Sequence, residues 1–180
     1  MTCANKITLF RIFLVPVFMV FLLCDIPYND YIGVALFVIA AATDGVDGYV
    51  ARKYNQVTTF GKFIDPLADK LLVTAALIGL TAMGRLDPWF AFIIISREFI
   101  VTSLRIVAIS SGKVIPANAS GKIKTVLQIV AISSMLIDKI YELSLWGFPV
   151  SFILMLAAVI VTVYSGVEYV SKNRSLIDMK

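Results

Sequence analysis

Apolar residues run through the chain in six long stretches, each broken by a short group of polar, glycine or proline residues. The pattern predicts helices at about Lys6–Leu23, Tyr31–Ala51, Lys62–Met83, Pro88–Ser111, Gly121–Ile140 and Phe148–Val170. Turn-forming residues mark the connections: Pro27 with Asn29, Gly84 with Pro88, Gly112 with Pro116, and Gly147 with Pro149. No long linker, low-complexity tract or internal repeat interrupts the series, so residues 1–180 are expected to form one domain. Lys6 and Arg11 ahead of the first apolar run resemble the start of a signal peptide. However, no A-x-A-like cleavage site follows, and a bulky Leu23 stands before Cys24, where a lipoprotein site needs a small residue. The first run is therefore expected to be a retained helix.

Composition turns these helices into membrane spans. Of the 180 residues 59% are hydrophobic, and the mean hydropathy is +0.90. A soluble domain of this size cannot bury so much apolar surface, which makes lipid the expected second solvent. The expected fold is all-α, a polytopic membrane protein with six transmembrane helices. Lys and Arg placement orients it. With six spans, fourteen of the sixteen basic residues lie on or near the side that carries both termini, and only Arg85 and Lys139 lie opposite. Both termini are thus expected on the cytoplasmic face. Trp89 and Trp146 fall near the opposite interface, where aromatic anchors belong.

Two absences narrow the chemistry. The chain has no histidine, which removes histidine-based triads, histidine zinc motifs and histidine phosphotransfer. Its two cysteines, Cys3 and Cys24, have neither metal-ligand spacing nor a disulfide framework.

Acidic residues concentrate between Asp44 and Asp69. Asp44 and Asp47 are three apart near the cytoplasmic end of the second helix, and Asp65 and Asp69 are four apart near the start of the third. Either spacing puts both carboxylates on one helix face. The connection is short, so the two helices are antiparallel neighbours whose acidic faces can meet. Four carboxylates brought together near hydrocarbon repel one another and lose hydration. Protonation, pairing with Arg52 or Lys70, or binding of divalent cations would each relieve this. Oxygen-only ligands favour Mg²⁺ or Mn²⁺. Gly45 and Gly48 each cost the helix about 1 kcal/mol relative to alanine, but they let a ligand approach the backbone.

The segment matches D-x-x-D-G-x-x-A-R-x₈-G-x-x-x-D-x-x-x-D at every specified position. In this it resembles the CDP-alcohol phosphotransferases, a family of six-helix membrane enzymes. The resemblance implies that an alcohol hydroxyl attacks the lipid-bearing phosphorus of a CDP-linked lipid and that CMP leaves. By that resemblance Asp44, Asp47 and Asp65 ligate two divalent ions, Asp69 acts as general base and can also touch a metal, and Gly48, Ala51 and Gly61 make room for the cytidine nucleotide. Arg52 would complement phosphate charge or pair between helices. Asn5, Thr8 and Arg11 share a face at the entrance to the first helix. Asn5 and Thr8 are candidates for the CDP-lipid site, with a helix cap as the plainer role for Asn5. For Arg11 the expectation is snorkelling to the interface.

The second half suggests the acceptor. Arg97 and Glu98 interrupt an apolar helix, Arg105 follows Arg97 by about two turns, and Lys122 and Lys124 open the fifth helix. Four cations suit an alcohol that carries its own phosphate, whereas positive-inside charge is the plainer account of such residues. The patterns R-E-F-x-V-x-x-L-R and G-K-x-K-T-x-x-Q resemble those of bacterial phosphatidylglycerol phosphate synthases. That resemblance implies CDP-diacylglycerol as donor, sn-glycerol 3-phosphate as acceptor, membrane lipid as surroundings, a homodimer, and no nucleic-acid partner. Thr43, Thr58, Thr59 and Ser120 have no spacing that suggests a role. Rival readings are a cardiolipin synthase or inositol-phosphate transferase of the same family, an ion transporter, and a non-catalytic scaffold.

Overall fold

The computed structural model describes residues 3–24, 28–53, 59–110, 119–138, 144–145 and 148–174. Six helices account for nearly all of them: α1 (Cys3–Leu23), α2 (Asn29–Lys53), α3 (Thr59–Ala82), α4 (Pro88–Ser110), α5 (Ala119–Ile137) and α6 (Val150–Lys172). Before α6, Ser144–Leu145 (β1) pairs antiparallel with Phe148–Pro149 (β2). The described chain is all-α apart from this short ladder, and each helix end lies within three residues of its expected place.

Local chemistry explains the sharpest boundary. Gly84 adopts φ 68°, a conformation that suits glycine, and its N–H donates to the Thr81 carbonyl while that of Arg85 reaches Leu80. Asp87 then accepts from the Trp89 N–H at 2.8 Å. With Pro88 between them, which has no N–H to satisfy, this starts α4.

Helix α1 packs on α2 and α3, α5 packs on α6 and α2, and α4 lies along α6. Phe18 and Phe37 meet at 5.8 Å between ring centroids, and Leu77, Leu80, Ile94, Ile132 and Met155 complete a fully buried apolar interior. Inside it, Gln128 donates to Thr162 at 3.0 Å, joining α5 to α6. Such a bond between apolar helix faces satisfies groups that neither water nor lipid can reach.

Large apolar side chains also cover much of the described surface. Phe13, Phe92, Phe99, Ile106, Val126 and Val167 are all exposed, whereas Arg11 is 0% exposed. Arg11 therefore does not snorkel. Together with buried Thr8 it forms the inward face of α1, because the helices against which that face packs come from later in the chain. Two described segments, Ser120–Ile137 and Val150–Lys172, are long and apolar enough by themselves to cross a membrane. Ile7–Leu23, Asn29–Thr43 and Lys70–Ala82 are shorter apolar helical stretches.

At the Gly84 end of the bundle, Arg85 lies near Asp138, which accepts from Ser151 at 2.6 Å. Burial lowers the Arg85 pKa from its ordinary value, and the charges of Asp30 and Asp138 act in the opposite direction.

Candidate active site

The strongest polar concentration among the described residues lies where α4, α5 and α6 come together. A cavity of about 220 Å³ opens there, lined by Lys70, Arg97, Arg105, Lys122 and Lys124, with Glu98 as the one carboxylate among the described lining residues. All four cations expected to hold an acceptor phosphate thus border one space. Lys70, the residue after Asp69, borders it too, so the cavity reaches the turn of α3 that carries the expected base.

The cations are not equivalent. Lys124 is only 5% exposed and its ammonium pairs with Glu98, whose Oε1 also accepts from Arg97 Nη1 at 3.2 Å. Glu98 therefore binds Arg97 of its own helix and Lys124 of α5, and an isolated charge buried there would be costly. Arg97 Nη2 donates to Ser165 of α6 at 3.0 Å. Its Nε is buried with no hydrogen-bond partner among the described residues. By contrast Arg105 and Lys122 are exposed where they line the cavity, which leaves them open to an arriving anion.

Several contributors were not anticipated. Ser120 donates to Glu168 at 2.6 Å, tying the start of α5 to α6, and Glu168 in turn pairs with Lys172 at 2.5 Å. Ser120 thus has a structural role that its spacing did not suggest. Ser165 and Tyr169 line the cavity, and the Tyr169 hydroxyl is buried without a partner among the described residues. The available signal was the polar run Ser165, Glu168, Tyr169 and Lys172, whose spacing of three and four puts it on one face of an apolar helix. Thr43 bonds only its own helix, at the Ala40 carbonyl, among the described residues.

The expected metal and nucleotide residues divide differently. Thr8 is buried on α1. Helix α2 extends through Lys53 and α3 begins at Thr59, so Asp44 and Asp47 share one helix, and Asp65 and Asp69 another. The side chains of Asn5, Asp44, Asp47, Ala51, Arg52, Asp65 and Asp69, and the surroundings of Gly48 and Gly61, lie outside the described residues.

Comparison with known proteins settles the family. The model of the CDP-alcohol phosphatidyltransferase family matches residues 1–164. This chain belongs to that family. A CDP-diacylglycerol–glycerol-3-phosphate 3-phosphatidyltransferase of Bacillus subtilis (strain 168) is 49% identical over 94% of this chain and 93% of its own length. A probable phosphatidylglycerophosphate synthase of Mycobacterium tuberculosis (strain H37Rv) is 41% identical over 94% and 80%. The CDP-diacylglycerol–glycerol-3-phosphate 3-phosphatidyltransferase of Shigella flexneri is 34% identical over 94% and 93%. The family match includes the acidic segment and the cavity residues from Lys70 to Thr125; Ser165 and Tyr169 lie beyond it.

Proposed function

We propose that this protein transfers the phosphatidyl group of CDP-diacylglycerol to sn-glycerol 3-phosphate, giving phosphatidylglycerol phosphate and CMP. The observation that carries the choice of acceptor is the basic cavity beside Lys70. Among the described residues, five cationic side chains against one carboxylate suit a small phosphorylated alcohol. An uncharged alcohol has no use for them. The names of the B. subtilis and S. flexneri relatives point to the same pair of substrates.

Arg105 and Lys122 bind the acceptor phosphate from the open side, while Arg97 and Lys124, held by Glu98, form a fixed positive wall. This anchors glycerol 3-phosphate with its free hydroxyl toward Asp69. The Asp69 carboxylate takes the hydroxyl proton as the oxygen attacks the phosphorus that bears diacylglycerol. The bond from that phosphorus to the oxygen of CMP breaks, and CMP leaves with the electron pair. Asn5, Thr8, Gly48, Ala51, Arg52 and Gly61 receive the CDP-lipid.

Asp44, Asp47, Asp65 and Asp69 would hold two divalent ions. Four all-oxygen donors at helical spacings of three and four, on helices that span those positions, suit Mg²⁺ or Mn²⁺. Bound there, the ions would neutralise the pyrophosphate and stabilise charge on the departing nucleotide.

The whole chain, residues 1–180, acts as one membrane domain with six spans, both termini and the active site on the cytoplasmic side of a bacterial cell membrane, and it works as a homodimer. Helices of 19 to 25 residues support the spans, since about 20 residues cross a bilayer core. A surface studded with exposed Phe, Ile and Val around a buried arginine agrees with that reading.

The test is product analysis with purified protein, CDP-diacylglycerol and Mg²⁺, offering glycerol 3-phosphate, glycerol, inositol phosphate and phosphatidylglycerol in competition. Metal-dependent formation of phosphatidylglycerol phosphate, one per CMP released, is expected. Preference for inositol phosphate or phosphatidylglycerol would keep the family chemistry and overturn the acceptor.

A further inference from the structure

We propose that the Ser165–Gly166 step of α6 is a positioning device for Arg97. This goes beyond the phosphate-binding reading of the basic cavity and rests on it.

Glycine is the poorest helix former after proline, yet Gly166 stands in the body of α6. The stem of Arg97 explains it. A Cβ at position 166 would lie 2.9 Å from Arg97 Cγ, 3.7 Å from Nε and 3.9 Å from Cδ. Cγ is near the root of the side chain, so relief requires the whole guanidinium to move, not just its tip. The missing Cβ thus forms a saddle across which Arg97 passes from α4 to reach the cavity.

Ser165 holds the other end. Its hydroxyl donates to the Thr162 carbonyl at 3.1 Å, which commits its proton and leaves the oxygen to accept from Arg97 Nη2. Glu98 accepts from Nη1. Two guanidinium nitrogens are therefore tied to different helices while the stem lies in the glycine saddle. Helix α6 has little room to yield, since Thr162 is bonded to Gln128 and Glu168 to Ser120. Behind the saddle, Arg97 and Gly166 also border an apolar groove of about 410 Å³ between α4 and α6, lined by Phe92, Ile100, Val163 and Val167. Arg97 and Val101 border both this groove and the basic cavity, so the position of Arg97 helps to set the cavity's inner boundary.

The experiment compares Gly166→Ala, Ser165→Ala, Arg97→Ala and the double variants with wild type by steady-state CMP release. KM is measured for glycerol 3-phosphate and for CDP-diacylglycerol, and Tm is measured in detergent. Gly166→Ala should raise the glycerol 3-phosphate KM roughly fivefold, with the CDP-diacylglycerol KM within about twofold of wild type. In the Arg97→Ala background it should add nothing, because the side chain it displaces is gone. An unchanged glycerol 3-phosphate KM, or the same rise in both backgrounds, would overturn the proposal. If Gly166→Ala does not fold, Ser165→Ala decides: a rise of about threefold that disappears in the Arg97→Ala background supports the device, and no rise defeats it. If Arg97→Ala itself leaves the glycerol 3-phosphate KM at wild type while CMP is released normally, the phosphate-binding reading of Arg97 fails, and the proposal falls with it for that separate reason.

Discussion

The acidic segment and the basic cavity are both concentrations of like charge, but they are assembled in opposite ways. The four aspartates fall within 26 residues on two successive helices, at spacings that the helix alone converts into shared faces. The cations of the cavity come from α3, α4 and α5, and α6 supplies its polar floor, so no local rule brings them together. The charge is managed differently as well. Glu98 is built into the basic wall and binds Arg97 and Lys124, which leaves Arg105 and Lys122 open to solvent. On our reading the acidic group gains its counter-charge from outside, as divalent ions. The basic region, by contrast, is partly neutralised in advance by Glu98.

The largest expected effect breaks the acidic side. Asp69→Asn should lower CMP release by about 10³-fold, the scale of a lost general base, while the protein still folds and binds CDP-diacylglycerol. Turnover near wild type would remove the base from Asp69. On the basic side, Glu98→Ala removes the carboxylate that buried Lys124 and Arg97 share. That should cost about 3 kcal/mol of stability, as for other broken buried pairs, seen as a lower Tm in detergent. A Tm within a degree or two of wild type would mean that water reaches Lys124. Smaller again, Gln128→Ala removes one bond between α5 and α6 and should cost about 0.6 kcal/mol, typical of hydrogen bonds between membrane helices. A large loss there would show that the α5–α6 pair depends on this polar contact more than on its apolar packing.

These regions also differ in how far they were legible in the sequence. Helices α1 to α6 announce themselves by apolar length, and Gly84 with Pro88 marks the α3–α4 turn. Asp44, Asp47, Asp65 and Asp69 stand out by their spacing on one helix each, but the roles proposed for them come from the family resemblance, and their side chains lie outside the described residues. Arg97, Arg105, Lys122 and Lys124 stand out because charge is costly in apolar helices, although their division into held and open cations needed the contacts of Glu98. Arg11 was misplaced at an interface because the helices that bury it are separate in sequence. Ser165, Gly166 and Tyr169 went unnoticed for a different reason. Small residues and a tyrosine in an apolar run look like packing until the arginine that crosses them is known to lie there.

The most direct test of the central claim, that the basic cavity receives the phosphate of the acceptor, is the pair of KM values for Arg105→Ala/Lys122→Ala. Neither residue is tied to Glu98 in the way that Arg97 and Lys124 are, so the fold should survive. The account predicts a rise of at least tenfold in the KM for glycerol 3-phosphate, with the KM for CDP-diacylglycerol nearly unchanged. A rise confined to CDP-diacylglycerol would assign the cavity to the donor and contradict the account.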